Sequence, residues 1–208
     1  MPDFICPYCI EWINTRDIQF RCTNSADYCE REDDIEYANY WGAGVRPMGK
    51  IFKPRMSIFF GRINPVTCPN CGKPSTKMVC PLCHNELPLD AGEVEDYFIT
   101  VIGTKASGKS VFLATIINAL QQELGQKLNG SFRALNEETT GRYRRDFYDP
   151  LFKKNIKIDV TRSVRTIKKH PMIYRFNLSE GSVFEGTKKV INIVFYDTAG
   201  EDFERKEG

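Results

Sequence analysis

The chain has 208 residues, a formal net charge of +2, 41% hydrophobic residues and 27% charged ones. This excludes a mainly disordered chain, and the even charge balance excludes a strongly basic nucleic-acid-coating protein. No apolar run approaches the ~18 residues of a membrane span, and Met1-Pro2-Asp3-Phe4 lacks the basic region and apolar core of a signal peptide. The expectation is therefore a cytoplasmic protein, with its cysteines reduced or metal-bound.

All eight cysteines precede residue 84. Cys6-Pro-Tyr-Cys9 is a CxxC turn, which aims two thiolates at one point. A strand-like Ile18–Arg21 follows, then Cys22 and Cys29 with six residues between them. Cys6, Cys9, Cys22 and Cys29 are expected to form one four-cysteine zinc site. The acidic run Glu30–Asp34 leads into Tyr37, Tyr40 and Trp41 and a basic stretch with Lys50, Lys53 and Arg55. Aromatics beside cations can stack on nucleic acid, but in a small zinc module they more often cover a thin core. Cys68-Pro-Asn-Cys71 and Cys80-Pro-Leu-Cys83 are two further CxxC turns, separated by eight residues. Cys68, Cys71, Cys80 and Cys83 are expected to form a second closed zinc site. His84 reads as an exposed neighbour of the last turn or as a substitute ligand.

Leu87–Gly92 carries Pro and Gly and reads as a linker, dividing a zinc-ribbon module at 1–90 from a second domain at 91–208. Tyr97–Ile102 reads as a buried strand. It runs into Gly103-Thr104-Lys105-Ala106-Ser107-Gly108-Lys109-Ser110, then Val111 and a helical pattern with Leu113, Ile116, Ile117, Leu120 and Leu124 on one face, which Gly125 would stop. The loop matches GxxxxGK[ST], the P-loop. Its glycines let backbone N–H groups turn around a phosphate at a helix N-terminus, Lys109 reaches the β- and γ-phosphates, and Ser110 holds Mg²⁺. Residues 129–169 are charge-rich, with seven Lys/Arg and one Asp within 153–169, and read as an insertion. A strand is expected near Met172–Leu178. Lys188–Tyr196 reads as another buried strand, ending in Asp197-Thr198-Ala199-Gly200, where a carboxylate can order Mg²⁺.

In Gly103–Ser110 and Asp197–Gly200 the sequence resembles the Ras-like, translation-factor-related (TRAFAC-type) GTPases, whose first and third motifs are GxxxxGK[ST] and DxxG. With its zinc head it is also similar to prokaryotic double-GTPase conflict-system proteins. The resemblance covers about residues 96–203. It implies an α/β fold in which part of a parallel-sheet P-loop domain follows a double zinc ribbon. It implies binding and slow hydrolysis of GTP with Mg²⁺, and a protein partner or second GTPase. Gly103 to Val111, Asp197 and Gly200 would contact nucleotide, with Lys109 and Glu201 as catalytic groups. Glu201 stands where many relatives carry a water-orienting Gln. Thr161 or Thr166 would supply the switch threonine on Mg²⁺. No Asn/Thr-Lys-x-Asp motif for guanine occurs, and the chain stops eight residues after Gly200, so it reads as the N-terminal part of a longer GTPase. The alternatives are an ATPase sharing the P-loop core, or a zinc-ribbon binding module whose nucleotide part is inactive. Two four-thiolate zinc sites would move the net charge from +2 to −2 and that of residues 1–90 from −1 to −5, which disfavours nucleic acid as the head's partner.

Overall fold

A computed structural model describes residues 3–54, 66–104, 106–127, 130–158, 170–180 and 187–197. Lys105, Thr161, Thr166, Thr198, Ala199, Gly200 and Glu201 lie outside the described residues. The chain forms two compact units, residues 1–94 and 95–208.

The first unit is built from short strands: β1 (Asp3–Ile5), β2 (Trp12–Asn14), β3 (Gln19–Arg21), β4 (Arg31–Asp33), β5 (Pro47–Gly49), β6 (Ile51–Phe52), β7 (Val66–Thr67), β8 (Pro74–Ser75) and β9 (Lys77–Val79). They form a three-stranded sheet in the order β6-β3-β9 and the two-stranded ribbons β1-β2, β4-β5 and β7-β8, all antiparallel. Strands this short cannot bury a large core. Beside the cysteines, the buried apolar side chains include Phe4, Ile13, Ile18, Phe20, Met78 and Val79.

Among the described residues of this unit one α-helix forms, α1 (Ile35–Trp41), which starts where the Asp34 carboxylate accepts from the Tyr37 amide and stops at the left-handed Gly42. Its aromatics cover the core: the Tyr40 hydroxyl donates to the Tyr8 carbonyl at 2.7 Å and Trp41 Nε1 donates to Asn85 Oδ1 at 2.9 Å. Leu87–Gly92 is not a free linker. Leu87 and Ala91 are buried, the Leu87 amide donates to the Met78 carbonyl, and a Cβ on Gly92 would meet Thr15 at 2.3 Å. The division falls between Val94 and Glu95 instead.

The second unit contains β10 (Glu95–Val101), α2 (Lys109–Lys127), β11 (Gly130–Ala134), α3 (Glu137–Tyr143), a π-helix at Arg144–Lys153, β12 (Met172–Glu180) and β13 (Thr187–Asp197). Its sheet has the order β10-β13-β12-β11. The expected parallel sheet is corrected to a mixed one. Among the described strands of this sheet only β10 and β13 run parallel, with Val101 opposite Asp197, whereas β12 is antiparallel to both β13 and β11. The reason is connectivity. Six residues join β12 to β13, enough for a hairpin, whereas the path from β10 to β13 includes α2, as a parallel crossover requires.

The core gathers on one side of this sheet: Leu113, Ala114 and Ile117 of α2, Phe132 of β11, Tyr143 and Phe147 of the following helices, and Met172, Tyr174 and Phe195 of the strands. Phe132 stacks on Tyr174 with centroids 4.7 Å apart. The structure differs from four expectations. α2 passes through Gly125 to Lys127, and Ile116 is partly exposed rather than part of the buried stripe. β10 is an edge strand with Tyr97 and Ile99 exposed, not a buried one. The charge-rich insertion, described over 130–158, sends Phe132, Tyr143 and Phe147 into the core.

Candidate metal centres and a glycine-bounded loop

Three CxxC turns share one local geometry. In each, the amide four residues after the first cysteine donates to that cysteine's carbonyl: Ile10 to Cys6, Gly72 to Cys68, His84 to Cys80, at 2.9–3.0 Å. Each turn then exits through a left-handed residue, with φ of 61° at Ile10, 68° at Gly72 and 52° at His84. Such a residue is strained unless it is glycine, so the turns containing Ile10 and His84 are held by their surroundings.

The turns do not pair as sequence order suggests. Cys6, Cys9, Cys80 and Cys83 converge as one group, and Cys22, Cys29, Cys68 and Cys71 as the other. The expected sets Cys6/Cys9/Cys22/Cys29 and Cys68/Cys71/Cys80/Cys83 are therefore corrected. All eight cysteines are free. The sulfurs lie 3.8 Å apart for Cys6–Cys83 and Cys9–Cys80, 3.7 Å for Cys22–Cys71 and 4.0 Å for Cys29–Cys68. A tetrahedron with Zn–S bonds of ~2.3 Å has edges of about 3.8 Å. Both groups thus have the donor chemistry and the spacing of a closed zinc site.

Side-chain amides supply further support. Asn24 Nδ2 donates to Cys22 Sγ at 3.4 Å and to Cys71 Sγ at 3.5 Å, and Asn70 Nδ2 donates to Cys29 Sγ at 3.4 Å. Burial opposes the Cys22 thiolate, but the Asn24 side chain and backbone outweigh it and bring the thiol down to about 7. These asparagines went unread in the sequence, although each lies next to or two residues from a ligand.

His84 is neither exposed nor within the four-sulfur groups. Its Nδ1 lies 2.7 Å from Asp34 Oδ1, and Asp34 also pairs with Arg21 Nη2 at 2.5 Å, both side chains being almost wholly buried. Arg21 Nη2 reaches the His84 carbonyl as well, at 3.1 Å. Asp34, Glu36 and His84 are close enough to share an ion. The Arg21 guanidinium already supplies the positive charge to that carboxylate, so the cluster reads as an ion-pair network.

In the second unit Gly103, Thr104 and the residues from Ala106 on lie between β10 and α2, which begins at Lys109. Ala106 and Gly108 take φ of 60° and 86°, and a Cβ at Gly103 would lie 2.8 Å from Ser107 Oγ, so Gly103 admits no side chain without a shift. Lys109 is buried and folds back over the loop, donating from Nζ to the carbonyls of Gly103 at 2.9 Å and Thr104 at 2.7 Å. Ser110 Oγ donates to Asp197, 3.0 Å from Oδ1 and 3.2 Å from Oδ2. Because Val101 pairs with Asp197, the carboxylate stands where β10 gives way to the loop. Residues 87 apart are thus joined at the parallel strand ends, and a hydroxyl and a carboxylate, both hard oxygen donors, meet at the start of α2.

Arg142 and His170 were not singled out by the sequence, because they lie within or beside a charged segment that reads as solvated. Arg142 is buried, donates from Nη1 to the His170 carbonyl and sits 5.8 Å over the Phe147 ring.

No family model matches the chain, and no solved structure matches it. Among curated proteins, it is 29% identical over 127 residues to SaeC of Mycolicibacterium smegmatis, a protein whose assigned role in ESX-1 scaffolding and assembly is itself provisional. That stretch covers 61% of this chain and 31% of SaeC, so the chain spans about a third of the relative it matches. Among the described residues, no helix is long and apolar enough to cross a membrane.

Proposed function

We propose that the second unit binds a nucleoside triphosphate with Mg²⁺ in the manner of a P-loop GTPase and hydrolyses it slowly, and that the zinc module presents a rigid surface to a protein partner. The observation that carries the reading is the Ser110–Asp197 contact at 3.0 Å, beside a loop whose Lys109 ammonium has only backbone carbonyls at hydrogen-bond distance among the described contacts. Those carbonyls are exchangeable for phosphate oxygens. The donor set suits Mg²⁺, which takes oxygen ligands and is commonly held by one or two protein groups together with the substrate's phosphates. Bound there, Mg²⁺ would neutralise charge on the β- and γ-phosphates. The chain's own groups divide the remaining work. Lys109 holds phosphate as a point charge, the loop amides cradle it, and Asp197 positions Ser110.

Guanine is the proposed base on the Asp197–Gly200 resemblance. Gly200 and Glu201 keep the roles that resemblance implies. The two four-thiolate groups need reduced cysteines, which supports a cytoplasmic setting. A protein partner for the zinc module is supported by its acidic charge once metallated, and a partner for the chain as a whole by its similarity to SaeC, a protein assigned to scaffolding and assembly.

The test is equilibrium binding of non-hydrolysable GTP and ATP analogues with Mg²⁺. Wild type is expected to bind the GTP analogue, and Lys109→Ala to abolish that binding. Unchanged affinity in Lys109→Ala would exclude the site, and preference for the ATP analogue would replace guanine with adenine.

A further inference from the structure

We propose that Arg142 is a second cationic ligand for the terminal phosphate of the nucleotide, reaching from α3 the site that Lys109, Ser110 and Asp197 begin. The proposal rests on the nucleotide reading above and adds to it a residue outside both motifs.

The first argument is position. α3 is anchored on the sheet by Thr139, whose hydroxyl accepts from the Ile173 amide at 2.9 Å. One turn later Arg142 donates from Nη1 to the His170 carbonyl. Met172 pairs with Phe195, so His170 and Asp197, each two residues further on, lie at the same end of the β12–β13 pair. The guanidinium is therefore held at the strand end that carries Asp197 and, through it, Ser110.

The second argument is the state of the side chain. Arg142 is 5% exposed, and its Nε and Nη2 have no hydrogen-bond partner among the described residues. The nearest described carboxylate of its own helical segment, Asp146, is 3.9 Å from Nε, beyond hydrogen-bond reach. Burial pushes the Arg142 pKa down, and the Asp197 carboxylate, ahead of Asp146, works to restore it. A buried guanidinium with two idle donors is costly as a purely structural device, since each unmade bond carries a desolvation penalty. The same planar fork is suited to two oxygens of one phosphate. The cost fits a group kept ready for an anion whose oxygens would satisfy Nε and Nη2.

The third argument is selectivity. Lys109 already serves phosphate from the loop side. A second cation, held by α3 at the strand end that carries Asp197, would meet the additional charge that a triphosphate has over a diphosphate. This makes α3 part of the site.

The experiment measures affinities of a non-hydrolysable GTP analogue and of GDP, both with Mg²⁺, for the 208-residue chain and for its Arg142→Gln, Arg142→Lys and Lys109→Ala variants. Arg142→Gln is expected to weaken the triphosphate analogue about tenfold or more while GDP changes less than about twofold; Lys109→Ala loses both ligands. GDP binding serves as the folding control. Should Arg142→Gln lose GDP through misfolding, the same ratio is read from Arg142→Lys, which keeps the charge and loses the fork. An unchanged triphosphate-to-diphosphate ratio in the folded variant overturns the assignment of Arg142 and leaves the nucleotide site standing. Absence of nucleotide binding by wild type overturns both.

Discussion

Cys9 and Cys80 are 71 residues apart in sequence and 3.8 Å apart at sulfur. Together with the Cys22–Cys71 contact at 3.7 Å, this crosses the two metal sets. Each zinc would staple an early segment to a late one and close a long loop, where cross-linking restricts the unfolded chain most.

The crossing makes a direct prediction for metal content. Wild type should bind two zinc ions per chain. The double variant Cys6→Ser/Cys83→Ser should retain one, because both losses fall in the same group, whereas Cys6→Ser/Cys71→Ser should retain none. The grouping by sequence order assigns Cys6 and Cys83 to different sites and predicts loss of both metals in the first variant. Zinc stoichiometry of the purified variants decides between them.

Removal of metal should unfold the first unit and spare the second. Structural zinc supplies about 10–16 kcal/mol in small modules, and strands of two or three residues cannot replace it. The second unit keeps an aromatic and aliphatic core with no cysteine in it. Treatment with a strong chelator should abolish the amide protection of residues 1–94 and leave that of β12 and β13. Loss of protection in both would show that the second unit depends on the metals.

Much of this was legible in the residues, and the failures share a cause. The CxxC turns were readable because their geometry is local. Which turns share a metal was not, because a tetrahedron has no sequence direction and the pairing depends on β3 lying between β6 and β9. β12 and β13 were readable as apolar runs before Asp197. β10 reads the same way, yet Tyr97 and Ile99 are exposed, because hydrophobicity does not tell an edge strand from a central one. Arg142 is not legible in the same way, because a charge count treats every arginine as solvated, whereas this one is buried.

Asp34 should be the most sensitive single residue of the first unit outside the cysteines. It caps α1, neutralises Arg21 and holds His84. Burial raises its pKa, but the Tyr37 amide, Arg21 and His84 outweigh this, and the net shift is downward. A lowered carboxyl contributes stability that is complete above the unfolded value of about 4 and is lost as pH falls through the folded value. Asp34→Asn should therefore destabilise the unit by about 3–5 kcal/mol at neutral pH, because Arg21 is left buried and uncompensated. The difference should be full at neutral pH, where the carboxylate is ionised and the thiolates hold zinc. Thermal unfolding of the zinc-loaded proteins there measures it, and equal stability of Asp34→Asn and wild type would overturn the assignment.

The edge of the second unit makes the remaining prediction. β10 pairs with β13 on one side, and the sheet order places nothing described on the other. Tyr97, Ile99 and Ile102 are 43%, 40% and 65% exposed, and Phe112 near the start of α2 is 58% exposed. An open strand edge beside exposed apolar side chains is a template for pairing with another chain. The 208-residue protein should thus self-associate with rising concentration, and Ile99→Lys should oppose this without loss of fold, since a charge on an edge strand blocks further pairing. Sedimentation velocity at several concentrations measures the effect. A wild-type chain that stays monomeric throughout would mean that the edge is protected. Equal association in Ile99→Lys would place the contact elsewhere on the surface.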